Sequence, residues 1–208
     1  MAQQVARDIP DGSYVNLGIG MPTQIAKHLP PDREIILHSE NGILGMGPGP
    51  ATITDVSLIN ASKEQVTLIP GAALFDQVLS FSMMRGQHID LTVLGAFQVS
   101  QHGDLANWDT GQPGAIPAVG GAMDLVVGAR RMFVVMEHVD KHGAPKIVSE
   151  ISYPLTGRRV VNRIYTDLAV IDVTERGLAV RSMVSGLSFE ALQSLTGAPI
   201  FQPEEREP

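Results

Sequence analysis

A carboxylate, an amide and a glycine stand together at Glu40-Asn41-Gly42, directly after a short apolar run (Ile35, Ile36, Leu37) and the polar pair His38-Ser39. Open α/β sheets place their chemistry where strand ends run into glycine-bearing loops, because the loop backbone can approach a ligand closely. A glutamate at that point packs poorly and is well placed to react as a nucleophile. The bland alternative is a solvated acid at a turn. From Glu34 to Pro50 the chain carries four glycines and two prolines, so the segment beyond Glu40 reads as a loop.

A second glycine turn, Gly18-Ile19-Gly20-Met21-Pro22, follows the run Tyr14 to Leu17. A dinucleotide fingerprint would need glycine where Thr23 stands and a fitting acid further on, which argues against a nicotinamide cofactor. The turn is either a plain strand-to-helix connection or a place where backbone N–H groups face an oxyanion or thioester oxygen. Ser39 lies in no G-x-S-x-G elbow, so a hydrolase triad finds little support. His138 and His142 are four apart but follow a strand in a loop with Gly143 and Pro145, and H-E-x-x-H is absent; they read as surface histidines, and no metal is expected. Arg130-Arg131 and Arg158-Arg159 read as solvated pairs that could also meet a phosphate. Met83-Met84 reads as core.

The elements that must position these residues follow from the pattern. Residues 1 to 9 suit a short helix ending at Pro10-Asp11-Gly12, Tyr14 to Leu17 a buried strand, and Pro22 to Leu29 a helix closed by Pro30-Pro31. Gln65 to Ile69 reads as a strand, Leu74 to Met84 as a helix with Gly86 as its stop, and Ile89 to Leu94 as a strand that Ala96 to Val99 continues. Gln101 to Gly121, with the only tryptophan, Trp108, reads as a long loop with binding work to do. Ala122 to Ala129 reads as a short helix, and Arg131 to Glu137 is the most continuous strand signal. Val160 to Ile164, Asp167 to Val173 and Leu178 to Met183 read as strands, the last two joined by a hairpin at Thr174-Glu-Arg-Gly177. Ser188 caps a final helix, Phe189 to Leu195, and Gln202 to Pro208 reads as a polar, mobile tail. The fold expected is α/β: a mixed, largely parallel sheet with flanking helices, in one domain spanning residues 1–208.

Composition bounds the function. With 208 residues, 44% hydrophobic and 18% charged, the chain can bury a sizeable core. A net charge of −7 and no basic run argue against nucleic acid as the main partner. The absence of cysteine removes thiolate nucleophiles and disulfides and fits a reducing cytoplasm. No membrane span or signal peptide is evident, so a cytoplasmic protein is expected.

Taken together with the turn at Gly18 to Pro22, the Ser39-Glu-Asn-Gly42 loop resembles the β subunit of family I CoA-transferases, the succinyl-CoA:3-oxoacid group. The likeness extends over Tyr14-Val-Asn-Leu-Gly-Ile-Gly20, Asp104-Leu-Ala-Asn-Trp108, Gly120-Gly-Ala-Met-Asp-Leu125 and Tyr153-Pro-Leu-Thr-Gly157. Within the group, His38 to Gly47, Phe81 to Gly86 and Ala115 to Gly120 look most like members acting on 3-oxoadipate, with acetoacetate the alternative acceptor. The resemblance implies a CoA-transferase (NagB/RpiA-like) fold and ping-pong exchange of CoA between two carboxylic acids, with Glu40 as nucleophile. It implies that Asn16, Gly18, Gly20, Asn41 and Gly42 lie near the reacting carbonyl and that Gly121 and Ala122 meet the CoA thiol and pantetheine. It implies no cofactor beyond coenzyme A as substrate, and an α subunit as partner in an α₂β₂ assembly. Arg85 is a candidate cation for a second carboxylate on the acceptor. A CoA-ester hydrolase and a non-catalytic assembly subunit are the rival classes.

Overall fold

Val15 and Leu37, both buried, face each other across two parallel strands, β1 (Ser13–Leu17) and β2 (Ile35–Ser39). Both are bounded by turn residues, and each delivers a glycine-bearing turn at its C-terminal end. The computed structural model describes residues 1–52, 55–111, 114, 116–117 and 119–202. These divide into two compact units, one of residues Ala2–Gly95 and Asp124–Met132, the other of Met1, Ala96–Met123 and Phe133–Pro208.

The first unit adds β3 (Ile43–Met46), β4 (Leu68–Leu74) and β5 (Leu91–Leu94), in the order β5-β1-β2-β3-β4. β1 is parallel to both β2 and β5, whereas β3 runs antiparallel to β2 and β4. Its helices are α1 (Ala2–Asp8), a 3₁₀ helix (Met21–His28), α2 (Gln77–Arg85) and α3 (Ala122–Gly128), whose residues from Asp124 onward belong to this unit. Gly128 lets α3 lie against α2: a Cβ there would sit 2.1 Å from the Met84 carbonyl oxygen.

Two local expectations are corrected, and a third, the helix after Pro22, is narrowed to its type. The glycine-rich segment beyond Glu40 is not all loop, because Ile43 to Met46 pairs as β3. Gly45, at φ +87°, marks the register shift between Leu44 and Met46 that lets so glycine-rich a stretch join a ladder. The helix after Pro22 is 3₁₀, not α: it has no side-chain cap, and Thr23 returns both its N–H and its hydroxyl to the Gly20 carbonyl at 3.1 and 2.8 Å, the i→i+3 bond of that helix. Finally, α2 starts at Gln77 and not Leu74. Leu74 pairs with Ile43 in β4, and the Asp76 carboxylate caps α2 by accepting the Leu79 N–H at 2.9 Å. Val78 and Leu79, whose spacing suggests an inward face, are 78% and 50% exposed; Ser80 and Met84 are the residues α2 buries.

The second unit contains β6 (Gln98–Ser100), β7 (Leu105–Ala106), β8 (Arg131–Val135, from Phe133 on), β9 (Ile147–Val148), β10 (Arg163–Tyr165), β11 (Ala169–Thr174), β12 (Gly177–Met183) and β13 (Ile200–Phe201). β7, β6 and β9 form a small three-stranded sheet, so the segment read as a long loop holds β7. Residues 112, 113, 115 and 118 of that segment, and 203–208 of the tail, lie outside the described residues. β10 is parallel to β8 and antiparallel to β11, and the β11–β12 hairpin turns at Thr174 to Gly177 as its sequence indicates. Arg163 crosses from β10 to bond the carboxylate of Asp172, its partner in β11, and lies 5.5 Å over the Phe133 ring. The last helix, α4 (Phe189–Leu195), has Ser188 as its cap, accepting the Ala191 N–H at 3.1 Å.

His138, expected at the surface, is fully buried. Its ring nitrogens lie 3.0 and 2.9 Å from the hydroxyls of Thr166 and Thr196, its backbone N–H is held by Asp167, and burial lowers its pKa. His142 is exposed. Among the described residues no cluster of His, Cys, Asp and Glu could hold a metal ion, and no helix is long and apolar enough to cross a membrane.

The Gly128–Met84 approach yields a test. Gly128→Ala must push α3 off α2, and is expected to lower unfolding free energy by about 1–3 kcal/mol, read as a shifted urea midpoint at unchanged slope.

Candidate active site

The hairpin between β2 and β3 carries Glu40 at its tip. The Gly42 N–H donates to the Ser39 carbonyl at 2.9 Å, closing the turn Ser39-Glu40-Asn41-Gly42. Gly42 has φ +113°, while Glu40 and Asn41 both keep negative φ. This is a type I turn followed by a glycine, a common three-residue hairpin loop. Gly42 is also required by space: a Cβ would lie 1.9 Å from the Phe75 carbonyl oxygen, and the Phe75 N–H donates to the Gly42 carbonyl at 3.0 Å.

Two further groups fix the turn. The Asn41 amide donates to the Ile59 carbonyl at 2.7 Å, and the Ser39 hydroxyl accepts the Ala61 N–H at 3.0 Å. The segment 59–61 thus holds one side of the hairpin and the start of α2 holds another. Behind the sheet, Leu17, Leu37, Ser39, Met46, Val66 and Ile69 help line a mainly apolar cavity of about 450 Å³.

On the opposite face, parallel register puts Asn16 of β1 beside His38 of β2 and beside Thr92 of β5. The Asn16 Nδ2 donates to His38 Nδ1 at 3.0 Å and reaches the His38 carbonyl at 3.4 Å. His38 Nε2 lies 3.0 Å from the Ser80 hydroxyl on α2, and the His38 ring stacks on Phe75 with centroids 6.4 Å apart. Asn16, His38 and Ser80 are 3%, 1% and 0% exposed. Burial pulls His38 down to a pKa of about 4, so its imidazole is neutral. The Thr92 hydroxyl, also buried, has no partner among the described residues.

Glu40 itself is half-buried. Desolvation raises its pKa, and the nearby negative charge of Asp124 raises it further. Asp124, in the first turn of α3, is in turn paired with Arg85 of α2 at 2.6 Å. The Arg85 guanidinium lies 5.5 Å over the Phe81 ring. A carboxylate raised by its surroundings, held on a rigid turn and still reachable, is suited to nucleophilic attack on an acyl carbon.

The expected site residues therefore fall into groups. Glu40, Asn41 and Gly42 share the hairpin, and Asn16, Gly18 and Gly20 stand at the end of the adjoining strand. Gly18 spends its N–H on the Val93 carbonyl at 2.8 Å, and a Cβ on it would lie 2.6 Å from Leu94 Cδ2. Gly20, exposed at φ +86°, opens the 3₁₀ helix. Gly121 and Ala122 belong to the second unit; Ala122 begins α3, its N–H bonded to the Val119 carbonyl at 3.1 Å. Sequence reasoning gave no role to Asp124, Ser80 or Phe75. Each acts on the Glu40 hairpin or its strand from far along the chain, and a single sequence carries no signal for such contacts.

Comparison with known proteins identifies the class: the chain belongs to the coenzyme A transferase family, whose model matches residues 1–194. It is 60% identical over 202 residues to the B subunit of 3-oxoadipate CoA-transferase from Acinetobacter baylyi, covering 97% of this chain and 93% of that protein. The corresponding B subunit of Pseudomonas putida 3-oxoadipate CoA-transferase is 59% identical over 203 residues, 97% of this chain and 95% of that protein. Succinyl-CoA:3-ketoacid coenzyme A transferase 2, mitochondrial, of Homo sapiens is 46% identical over 199 residues, which are 94% of this chain and 38% of that longer protein. Among solved structures, glutaconate coenzyme A-transferase from Acidaminococcus fermentans superposes with a TM-score of 0.70 at 18% identity, covering 100% of this chain and 88% of that one. An acyl-CoA transferase of Escherichia coli O157:H7, in a thioester complex with CoA, gives a TM-score of 0.74 at 17% identity, covering 98% of this chain but 41% of that one. These two likenesses bear out the α/β fold.

The Asp124 charge gives a signed prediction. A carboxylate is nucleophilic only when ionised, so any activity that relies on the Glu40 carboxylate is expected to be lost as pH falls through its raised pKa. Asp124→Asn removes the repulsion and leaves the desolvation. The acidic limb of kcat/KM in the assembled enzyme is therefore expected to move to lower pH.

Proposed function

We propose that this chain is the glutamate-bearing subunit of a CoA-transferase that moves CoA from succinyl-CoA to 3-oxoadipate. The observation that carries the reading is Glu40: a half-buried carboxylate with a raised pKa, fixed at a hairpin tip. The names of the relatives at 59–60% identity support the acceptor. The B subunit of a probable succinyl-CoA:3-ketoacid coenzyme A transferase from Bacillus subtilis stands lower, at 48%.

The chemistry proceeds by four balanced acyl transfers. The Glu40 carboxylate attacks the thioester carbonyl of succinyl-CoA; a C–O bond forms, the C–S bond breaks, and CoA leaves as thiolate. That thiolate attacks the glutamyl carbonyl of the mixed anhydride, expelling succinate and leaving a glutamyl-CoA thioester. The carboxylate of the 3-oxo acid then attacks the glutamyl carbonyl and expels CoA thiolate. Attack of the thiolate on the acyl carbonyl of this second anhydride gives the new acyl-CoA and restores Glu40. No net proton is consumed, which suits a site whose buried histidine, His38, is neutral with both nitrogens engaged.

A carboxylate is a weak nucleophile in water, so partial desolvation and rigid placement are what this site contributes. Asn16, Gly18, Gly20, Asn41 and Gly42 surround the reacting carbonyl in this reading, and Gly121 and Ala122 meet the thiol end of CoA. CoA serves as substrate and no other cofactor takes part. The bacterial relatives are each named as one subunit of an enzyme, which supports a partner subunit here. We assign an α₂β₂ assembly working in the cytoplasm.

Intact-mass analysis tests the nucleophile. After incubation with succinyl-CoA and borohydride, the assembled wild-type enzyme is expected to carry the alcohol of glutamate at position 40. Glu40→Ala is expected to remain unmodified and to lose transferase activity. An unmodified Glu40 in an enzyme that still turns over would refute the assignment. Purified without its partner, the chain is expected to show no transfer; with it, kcat/KM for 3-oxoadipate is expected to exceed that for acetoacetate.

A further inference from the structure

We propose that His38 is a positioning residue for Glu40, acting as a permanently neutral bridge between β1, β2 and α2 and not as an acid or base. The inference rests on Glu40 being the nucleophile. His38 lies on β2, two residues before Glu40 in the turn that follows it, and its side chain is buried. An amide nitrogen can only donate, so the Asn16 Nδ2 contact requires His38 Nδ1 to be an acceptor. The ring proton is therefore on Nε2, and it is donated to the Ser80 hydroxyl. A second proton on the ring would set two N–H groups against each other at 3.0 Å in a fully buried interior. Desolvation holds the ring in its uncharged form, as the geometry demands.

Each end of this bridge leads to a part of the site. Asn16 stands two residues before Gly18, where β1 runs into the second glycine turn. Ser80 lies in the first turns of α2, whose N-terminal approach, Phe75-Asp76, is wedged against Gly42 of the Glu40 hairpin. The flat face of the His38 ring rests on Phe75 itself. A single imidazole therefore ties the strand that presents the nucleophile to β1 on one side and to α2 above it. All of this is done with one acceptor and one donor, the two nitrogens of one flat ring.

That requirement defines the test. Glutamine offers an acceptor oxygen for Asn16 and a donor nitrogen for Ser80 but cannot exchange protons near neutral pH. In the assembled enzyme, His38→Gln is expected to keep most of the wild-type rate with an unchanged pH profile. His38→Leu fills the space but makes neither bond. It is expected to lose about 10²-fold in kcat with little change in KM, since a nucleophile displaced by about 1 Å loses that much. Ser80→Ala, which removes only one partner, is expected to fall between them and serves in place of His38→Leu should that variant fail to assemble.

The readout is the rate at which Glu40 becomes borohydride-reducible after mixing with succinyl-CoA, alongside steady-state turnover. Failure of the wild-type enzyme to form that adduct would sink the nucleophile assignment. Normal adduct formation in wild type combined with His38→Gln as slow as His38→Leu would instead overturn the hydrogen-bonded bridge, because glutamine supplies an acceptor for Asn16 and a donor for Ser80 and lacks only the ring's face and its capacity to exchange protons. Undiminished rates in His38→Leu or Ser80→Ala would overturn it equally.

Discussion

The carbonyl of Phe75 comes so close to Gly42 that no side chain could stand between them, and the arrangement around Glu40 depends on that approach. It brings the start of α2 against the hairpin, and so brings Ser80 within reach of His38 and Phe75 beneath the imidazole ring. It also aligns α2 so that Arg85, at its far end, meets Asp124 on α3. The fit of α3 onto α2 relies on a second missing side chain, at Gly128. Two glycines, neither with a polar side chain to offer a ligand, therefore decide where the charged groups stand.

Charge is distributed around Glu40 in an ordered way. A carboxylate taken partly out of water resists ionisation, and Asp124 adds to that resistance. Arg85 offsets the Asp124 charge from the solvent side, where its own exposure weakens its effect. The interior side is kept free of formal charge by a histidine that remains unprotonated. Glu40 thus sits between a screened ion pair outside and a neutral hydrogen-bonded row inside. Its raised pKa follows first from partial burial and then from the Asp124 charge.

Much of this was legible in the sequence, and the limits are physical. The strand that delivers Glu40, the turn at Gly18 to Pro22, the Ser188 cap and the Thr174 to Gly177 hairpin all rest on neighbours within a few residues, and such signals survive in a single chain. The misreadings arose where distant contacts prevailed. Leu74, Val78 and Leu79 have helical spacing, but Leu74 is claimed by β3 and the other two point outward. Gly45 and Gly47 read as loop because glycine weakens strands, yet a bulge admits Gly45 to the ladder. His138 sits among loop-forming residues and is nevertheless drawn inward by two threonines 28 and 58 positions away. Asp124 stands out in the sequence only as part of a motif, since nothing local indicates that a helix residue will act on a turn so far back in the chain.

The brevity of the Glu40 turn sets how the acyl carrier can behave. Enzymes that relay thioesters on lipoyl or pantetheine arms move the carrier between stations. Here the group that would bear the thioester hangs on a three-residue loop braced by Ile59, Ala61 and Phe75, with one short side chain for reach. In the proposed function the carrier is a fixed post. Donor acid, acceptor acid and the thiol end of CoA must come and go around it, so traffic through the site, and not travel by the protein, becomes the motion on which turnover depends.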